Sequence, residues 1–165
     1  MFNYKKIAVI GCSGAGKSTF SRKLAAVTKL PLCYLDMLYW NSDGSHITRE
    51  EFIRKQEHIL SEESWIMDGN YRGTLEYRIK EADLIFFFDL PTDVCINGVL
   101  TRGEREDMPC NLPADDELID YIKNYDINCK PIVYELFEKY PDKKVITFYS
   151  HKEANDYIAN LVKEI

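Results

Sequence analysis

The chain has 165 residues, 45% of them hydrophobic, and a formal net charge of −6. That length allows one domain with a full core, residues 1–165, and the acidic balance argues against a general nucleic-acid-binding surface, which is normally basic. Five cysteines, Cys12, Cys33, Cys95, Cys110 and Cys129, form no C-x-x-C pair and no cluster with histidine, so neither a disulfide framework nor a zinc site is indicated.

In chain order, the apolar run at 7–10 predicts a strand, and the helix-spaced apolar residues Phe20, Leu24 and Val27 predict a helix. Between them lies GCSGAGKST, residues 11–19, in which Gly11, Gly16, Lys17 and Ser18 match G-x-x-x-x-G-K-[ST], the phosphate-binding loop. The glycines allow positive φ, so the backbone can curl its N–H groups around an anion. The helix that follows aims its unsatisfied N–H groups and positive dipole end at the same anion. Lys17 is placed to bridge the β- and γ-phosphates, and the Ser18 hydroxyl to ligate Mg²⁺. Gly11, Ser13, Gly14, Ala15, Gly16, Lys17, Ser18 and Thr19 are therefore the expected ATP-binding residues. Such a loop works through its backbone, so Cys12 reads as a small spacer.

A second short strand is expected at 30–35, ending at Asp36. Met37 to Trp40 and a polar turn at 41–45 follow, and the aromatic stretch reads equally as the wall of an acceptor pocket or as core. Thr48 and Glu51 form a capping box for a helix with Phe52, Ile53, Ile59 and Leu60 on one face. A third strand, 65–67, ends at Asp68. The run LIFFFDL within 82–90 has no alternation, as in a parallel strand covered on both faces, and carries Asp89 at its end. Pro91 starts a helix to about Leu100. Residues 101–113 read as an irregular charged loop, followed by a helix from about Leu118 to Tyr140 interrupted near Pro131. A last strand, 145–148, precedes a helix capped by Ser150 and Glu153 with Ala154, Tyr157, Ile158, Leu161 and Ile165 on its buried face. No repeat, linker, signal-peptide-like run or stretch of 18 apolar residues occurs, so no membrane association and a cytoplasmic location are expected.

Strands alternating with helices predict an α/β fold, a parallel sheet with helices on both faces, whose ligands bind beyond the carboxyl ends of the strands. Asp36, Asp68 and Asp89 are all expected on that edge. Mg²⁺ held by a triphosphate and Ser18 needs a nearby carboxylate. Asp68 and Asp89 compete for that role; Asp89, before Pro91, looks more like a helix-entry residue, which favours Asp68. Arg72, Arg102 and Arg105 lie where loops can close over transferring charge, whereas Arg22, Arg49, Arg54 and Arg78 sit on predicted helices and read as surface charges. His46, His58 and His151 are isolated from one another and read as non-catalytic. No N-K-x-D segment is present, which weighs against a GTPase switch.

The ordered set GCSGAGKST, YLDMLYW, WIMDGNYR, ADLIFFFDLP and REDM resembles the DNA topology modulation proteins, a FlaR-related group within the adenylate kinase-like P-loop kinases. The resemblance implies the three-layer P-loop NTPase fold of nucleoside monophosphate kinases, with five parallel strands, an acceptor-binding insertion at about 37–62 and a short lid at about 101–114. The segment from Asp68 to Arg72 is similar to D-G-F-P-R of adenylate kinases, which implies that Asp68 joins Ser18 in serving Mg²⁺ and that Arg72 contacts phosphate. Asp36 matches the aspartate of the family's LD-x-L-x-W segment, which implies an acceptor contact and adds it to Lys17, Arg72, Arg102 and Arg105 as the catalytic set. The implied activity is transfer of the γ-phosphate of Mg-ATP to a small acceptor, a nucleotide or nucleoside among the candidates. The chain departs from the pattern in its short lid and in having Asp126, Asn128 and Lys130 where further arginines are expected. The alternative is a catalytically weak nucleotide-binding regulator acting through a protein or DNA partner.

Overall fold

A computed structural model describes residues 2–164. The elements run β1 (Lys6–Gly11), α1 (Lys17–Thr28), β2 (Leu32–Tyr34), α2 (Leu35–Tyr39), α3 (Arg49–Leu60), β3 (Trp65–Asp68), a 3₁₀ turn (Arg72–Thr74), α4 (Leu75–Glu81) and β4 (Leu84–Phe88). They continue with α5 (Thr92–Thr101), α6 (Asp116–Lys123), α7 (Tyr125–Asn128), α8 (Lys130–Lys139), β5 (Lys144–Phe148) and α9 (His151–Glu164). All strand pairs are parallel, in the order β2-β3-β1-β4-β5.

Both faces of the sheet are covered, so Ile7–Ile10 of β1 and Leu84–Phe88 of β4 are apolar at every position. On one face Ile7, Val9, Leu84, Phe86 and Phe88 pack with Phe20 and Leu24 of α1, Cys95 and Val99 of α5, and Ile158 and Leu161 of α9. On the other, Ala8, Ile10, Met67, Ile85 and Phe87 pack with Phe52 of α3, Ile79 of α4 and Val133 of α8. The alternation along β1 and β4 follows from the two-residue period of a strand. Phe20 anchors the loop-bearing helix, its ring lying edge-on to Phe86, Phe88 and Phe148 at centroid distances of 4.8, 5.3 and 5.3 Å.

The caps form as the sequence predicts: Thr48 Oγ1 accepts from Glu51 N at 3.2 Å, and Ser150 Oγ from Glu153 N at 3.2 Å. Three expectations are corrected. The second strand is only Leu32–Tyr34, and Asp36 lies in the first turn of α2 instead of at a strand end. The predicted long helix after residue 115 is three helices, and Pro131 falls in the first turn of α8, where its missing N–H costs nothing. Arg78 is not a surface charge: it is 0% exposed. On the closing helix Ala154, Ile158 and Leu161 are buried and Tyr157 half-buried, while Ile165 lies outside the described residues. No described helix is long and apolar enough to cross a membrane.

Candidate functional site: a phosphate loop facing a carboxylate–arginine network

The chain turns from β1 into α1 at the centre of the sheet, where the order places β3 on one side of β1 and β4 on the other. Gly14 has φ +79, and a Cβ there would stand 2.0 Å from the Cys95 carbonyl oxygen of α5. Gly16, at φ +90, forms the entry to α1. No other residue type adopts both conformations without strain. Lys17 Nζ donates to the Cys12 carbonyl at 2.7 Å. Ser13, Gly14, Gly16, Lys17, Ser18 and Thr19 line one cleft of about 1750 Å³; Gly11 and Ala15 lie buried beneath it.

Opposite the loop, Asp68 ends β3 with 3% of its surface exposed, and its Oδ1 is buried with no hydrogen-bond partner among the described residues. Burial pushes its pKa up to about 6, against the pull of Lys17 and Ser18. Asp89, its rival in the sequence, lies outside the cleft lining. Its Oδ1 is 2.5 Å from Lys130 Nζ, and its Oδ2 accepts from Tyr134 Oη at 3.2 Å.

A carboxylate that the sequence reading passed over completes the network. Ser18 Oγ donates to Asp107 Oδ2 at 2.7 Å. Asp107 is gripped by Arg105, Nε to Oδ1 at 3.0 Å and Nη2 to Oδ2 at 2.6 Å. The same Nη2 reaches Asp36 Oδ2 at 2.6 Å, and Tyr71 Oη donates to Asp36 Oδ1 at 2.5 Å. Burial alone would raise the Asp107 pKa, but the hydrogen bonds from Arg105 and Ser18 outweigh it and hold the group at about 2. For Arg105 burial is likewise overcome, by Asp107 and Asp36, and its pKa is raised. Arg102 is half-buried in the same cleft with no carboxylate partner among the described residues; burial and the neighbouring Arg105 lower its pKa. Arg72 lies at the cleft wall but is exposed, its Nη1 donating to the Asn128 carbonyl at 2.9 Å. Tyr39, Trp40, Phe52 and Tyr71 form the aromatic side of the cleft.

The loop after β3 rests on Arg78. Its guanidinium donates to the carbonyls of Gly69 at 3.3 Å and of Asn70, to Gln56 Oε1 at 2.8 Å and to Thr74 Oγ1 at 2.9 Å. Burial pulls its pKa down to about 9, so it remains a cation at neutral pH. The sequence held the signal: Leu75, Arg78, Ile79 and Ala82 follow the i, i+3, i+4, i+7 spacing of a buried helix face. Asn70 in turn is fixed by Tyr121 and Tyr125 at 3.0 and 3.2 Å. His151 lies at the loop, its Nε2 being 3.2 Å from the Ala15 carbonyl. Only proximity in the fold reveals that placement.

No protein-family model and no curated protein sequence matches the chain. Among solved structures it is similar to the shikimate kinase of Acinetobacter baumannii in complex with shikimate, at 14% identity and a TM-score of 0.61 over 97% of this chain and 92% of that one. It is also similar to the shikimate kinase of Bacteroides thetaiotaomicron, at 15% identity and a TM-score of 0.58 over 98% of each chain. At these identities the likeness is one of fold: the five-stranded parallel sheet between helices is the α/β P-loop NTPase fold, in the form that the shikimate kinases have.

Proposed function

We propose that this chain is an ATP-dependent P-loop phosphotransferase that moves the γ-phosphate of Mg-ATP to a small acceptor, nucleotides and nucleosides being the first candidates. On this reading residues 1–165 act as one kinase-like domain in the cytoplasm, with 37–62 as acceptor-binding insertion and 101–114 as lid. The observation that carries the proposal is convergence: Lys17 and Ser18 at the head of α1, the buried Asp68, and Asp36, Arg72, Arg102 and Arg105 all border one cleft.

The donors around Ser18 are hard oxygens, and the buried Oδ1 of Asp68 lacks a partner among the described residues, a set that suits Mg²⁺. Ser18 and Asp68 are the residues that would hold the ion, which when bound neutralises charge on the phosphate oxygens. The backbone N–H groups of the loop and Lys17 orient the phosphates. Among the described residues, Arg102 and Arg72 have guanidiniums uncommitted to carboxylates, available with Arg105 for charge that develops during transfer. Asp36 accepts hydrogen bonds through both oxygens, the chemistry needed to seat a hydroxyl-bearing acceptor. The sequence resemblance to DNA topology modulation proteins belongs to this reading, and an acidic chain would exert such an effect on DNA indirectly.

A second reading, the weakly catalytic nucleotide-dependent regulator, is favoured by one feature: Arg105 is held by two carboxylates, which leaves Arg102 as the uncommitted lid arginine. ADP release from Mg-ATP, measured over a panel of nucleoside monophosphates, nucleosides and hydroxylated metabolites including shikimate, tests both. Stimulation by one acceptor, abolished in Lys17→Ala, is the expected result. ATP binding with no stimulation across the panel favours the regulator, and an undiminished rate in Lys17→Ala refutes the mechanism.

A further inference from the structure

A serine hydroxyl has one hydrogen to donate and two lone pairs to offer. When such a group ligates a cation it does so through a lone pair, and its hydrogen needs an acceptor elsewhere. In this chain that acceptor comes from the irregular segment 101–114, 89 positions away: Ser18 Oγ donates to Asp107 Oδ2 at 2.7 Å. Asp107 is only 7% exposed, and it cannot drift, because Arg105 grips both of its oxygens in a fork and is itself tied to Asp36 at 2.6 Å.

We infer that Asp107 is a positioning residue for the cation site: it takes the Ser18 hydrogen, holds the serine lone pairs toward the ion, and makes the site depend on segment 101–114 being docked. The inference rests on the P-loop kinase reading. Asp107 touches neither nucleotide nor acceptor in this role; it acts through Ser18, as outer partners of metal ligands do. The chain Ser18–Asp107–Arg105–Asp36 also runs from the phosphate loop to the acceptor side. Docking of the lid, seating of the cation and placement of Asp36 are thereby one event.

The test is ATP binding by titration calorimetry, with excess Mg²⁺ and with EDTA, on the wild-type chain, Asp107→Ala, Asp107→Asn, Ser18→Ala and the Ser18→Ala, Asp107→Ala double variant. Asp107→Ala should weaken binding about 10- to 100-fold in Mg²⁺ and leave binding in EDTA unchanged. Asp107→Asn, which keeps an acceptor oxygen for Ser18, should recover part of the loss, and it carries the test by itself if the alanine variant does not fold. The Ser18→Ala, Asp107→Ala double variant should lose no more than Ser18→Ala alone, since both remove one interaction. Equal losses in Mg²⁺ and EDTA would make Asp107 merely structural, and unchanged affinity would show that it plays no part. Tighter binding in the variant would make Asp107 a competitor for the cation's place. Each of these overturns the inference while leaving the kinase reading intact. A wild-type chain that binds no ATP in either condition removes the kinase reading, and this inference with it.

Discussion

Replacing Asp68 with asparagine should make the protein more stable at neutral pH and, on the proposed kinase reading, weaken its binding of Mg-ATP. The Asp68 pKa is raised from 3.8 to about 6 by burial, so the fold favours the neutral carboxyl. Wild-type stability is therefore lost as pH rises from about 4 through 6 and stays at its lower level above that. The interval, at about 1.4 kcal/mol per pH unit, comes to roughly 3 kcal/mol at pH 7.5 and about 1 kcal/mol at pH 4.5. Asp68→Asn removes the buried charge and keeps the shape. Urea unfolding across this pH range should show the variant ahead by up to about 3 kcal/mol at pH 7.5, or roughly 6–12 °C in Tm for a chain of this size, with the gap closing toward pH 4.5. The same variant should bind Mg-ATP more weakly than the wild type. A gap that does not change with pH, or a variant less stable at pH 7.5, would refute the assignment of a strained, ionised carboxylate to this position.

Gly98 lies on α5, where an alanine would ordinarily add about 1 kcal/mol of helix stability. Here its Cβ would stand 2.1 Å from the Gly14 carbonyl oxygen, so Gly98→Ala should instead lower Tm and weaken ATP binding by displacing the phosphate loop. Arg78→Ala should cost about 3 kcal/mol or more in urea unfolding, because it strands the Asn70 and Gly69 carbonyls and Gln56 in the interior. A loss below about 1 kcal/mol would mean that water replaces the guanidinium.

The strand–loop–helix turn at GCSGAGKST was legible because it is local: nine consecutive residues between β1 and α1, whose shape depends on glycines at positive φ. The unalternating LIFFFDL run likewise announced a strand covered on both faces, and β4 lies there between β1 and β5. Asp36 was found, but at the wrong point of its element, because a three-residue strand leaves too little pattern to place its end. Arg78 reads as a surface charge by residue type, yet its spacing with Leu75, Ile79 and Ala82 marks the buried face on which it lies.

By itself, then, the sequence determined the alternation of strands and helices, the glycine-rich turn between β1 and α1 and the caps of α3 and α9, each set by neighbours within a few residues. Only the tertiary structure decided which charges face one another. Asp107 meets Ser18 across 89 positions, Arg105 meets Asp36 across 69, and Tyr71 meets Asp36 across 35. An ion pair carries no periodicity along the chain: it requires two side chains at hydrogen-bond distance in a partly dry cleft, and a fold is what provides both the distance and the dryness.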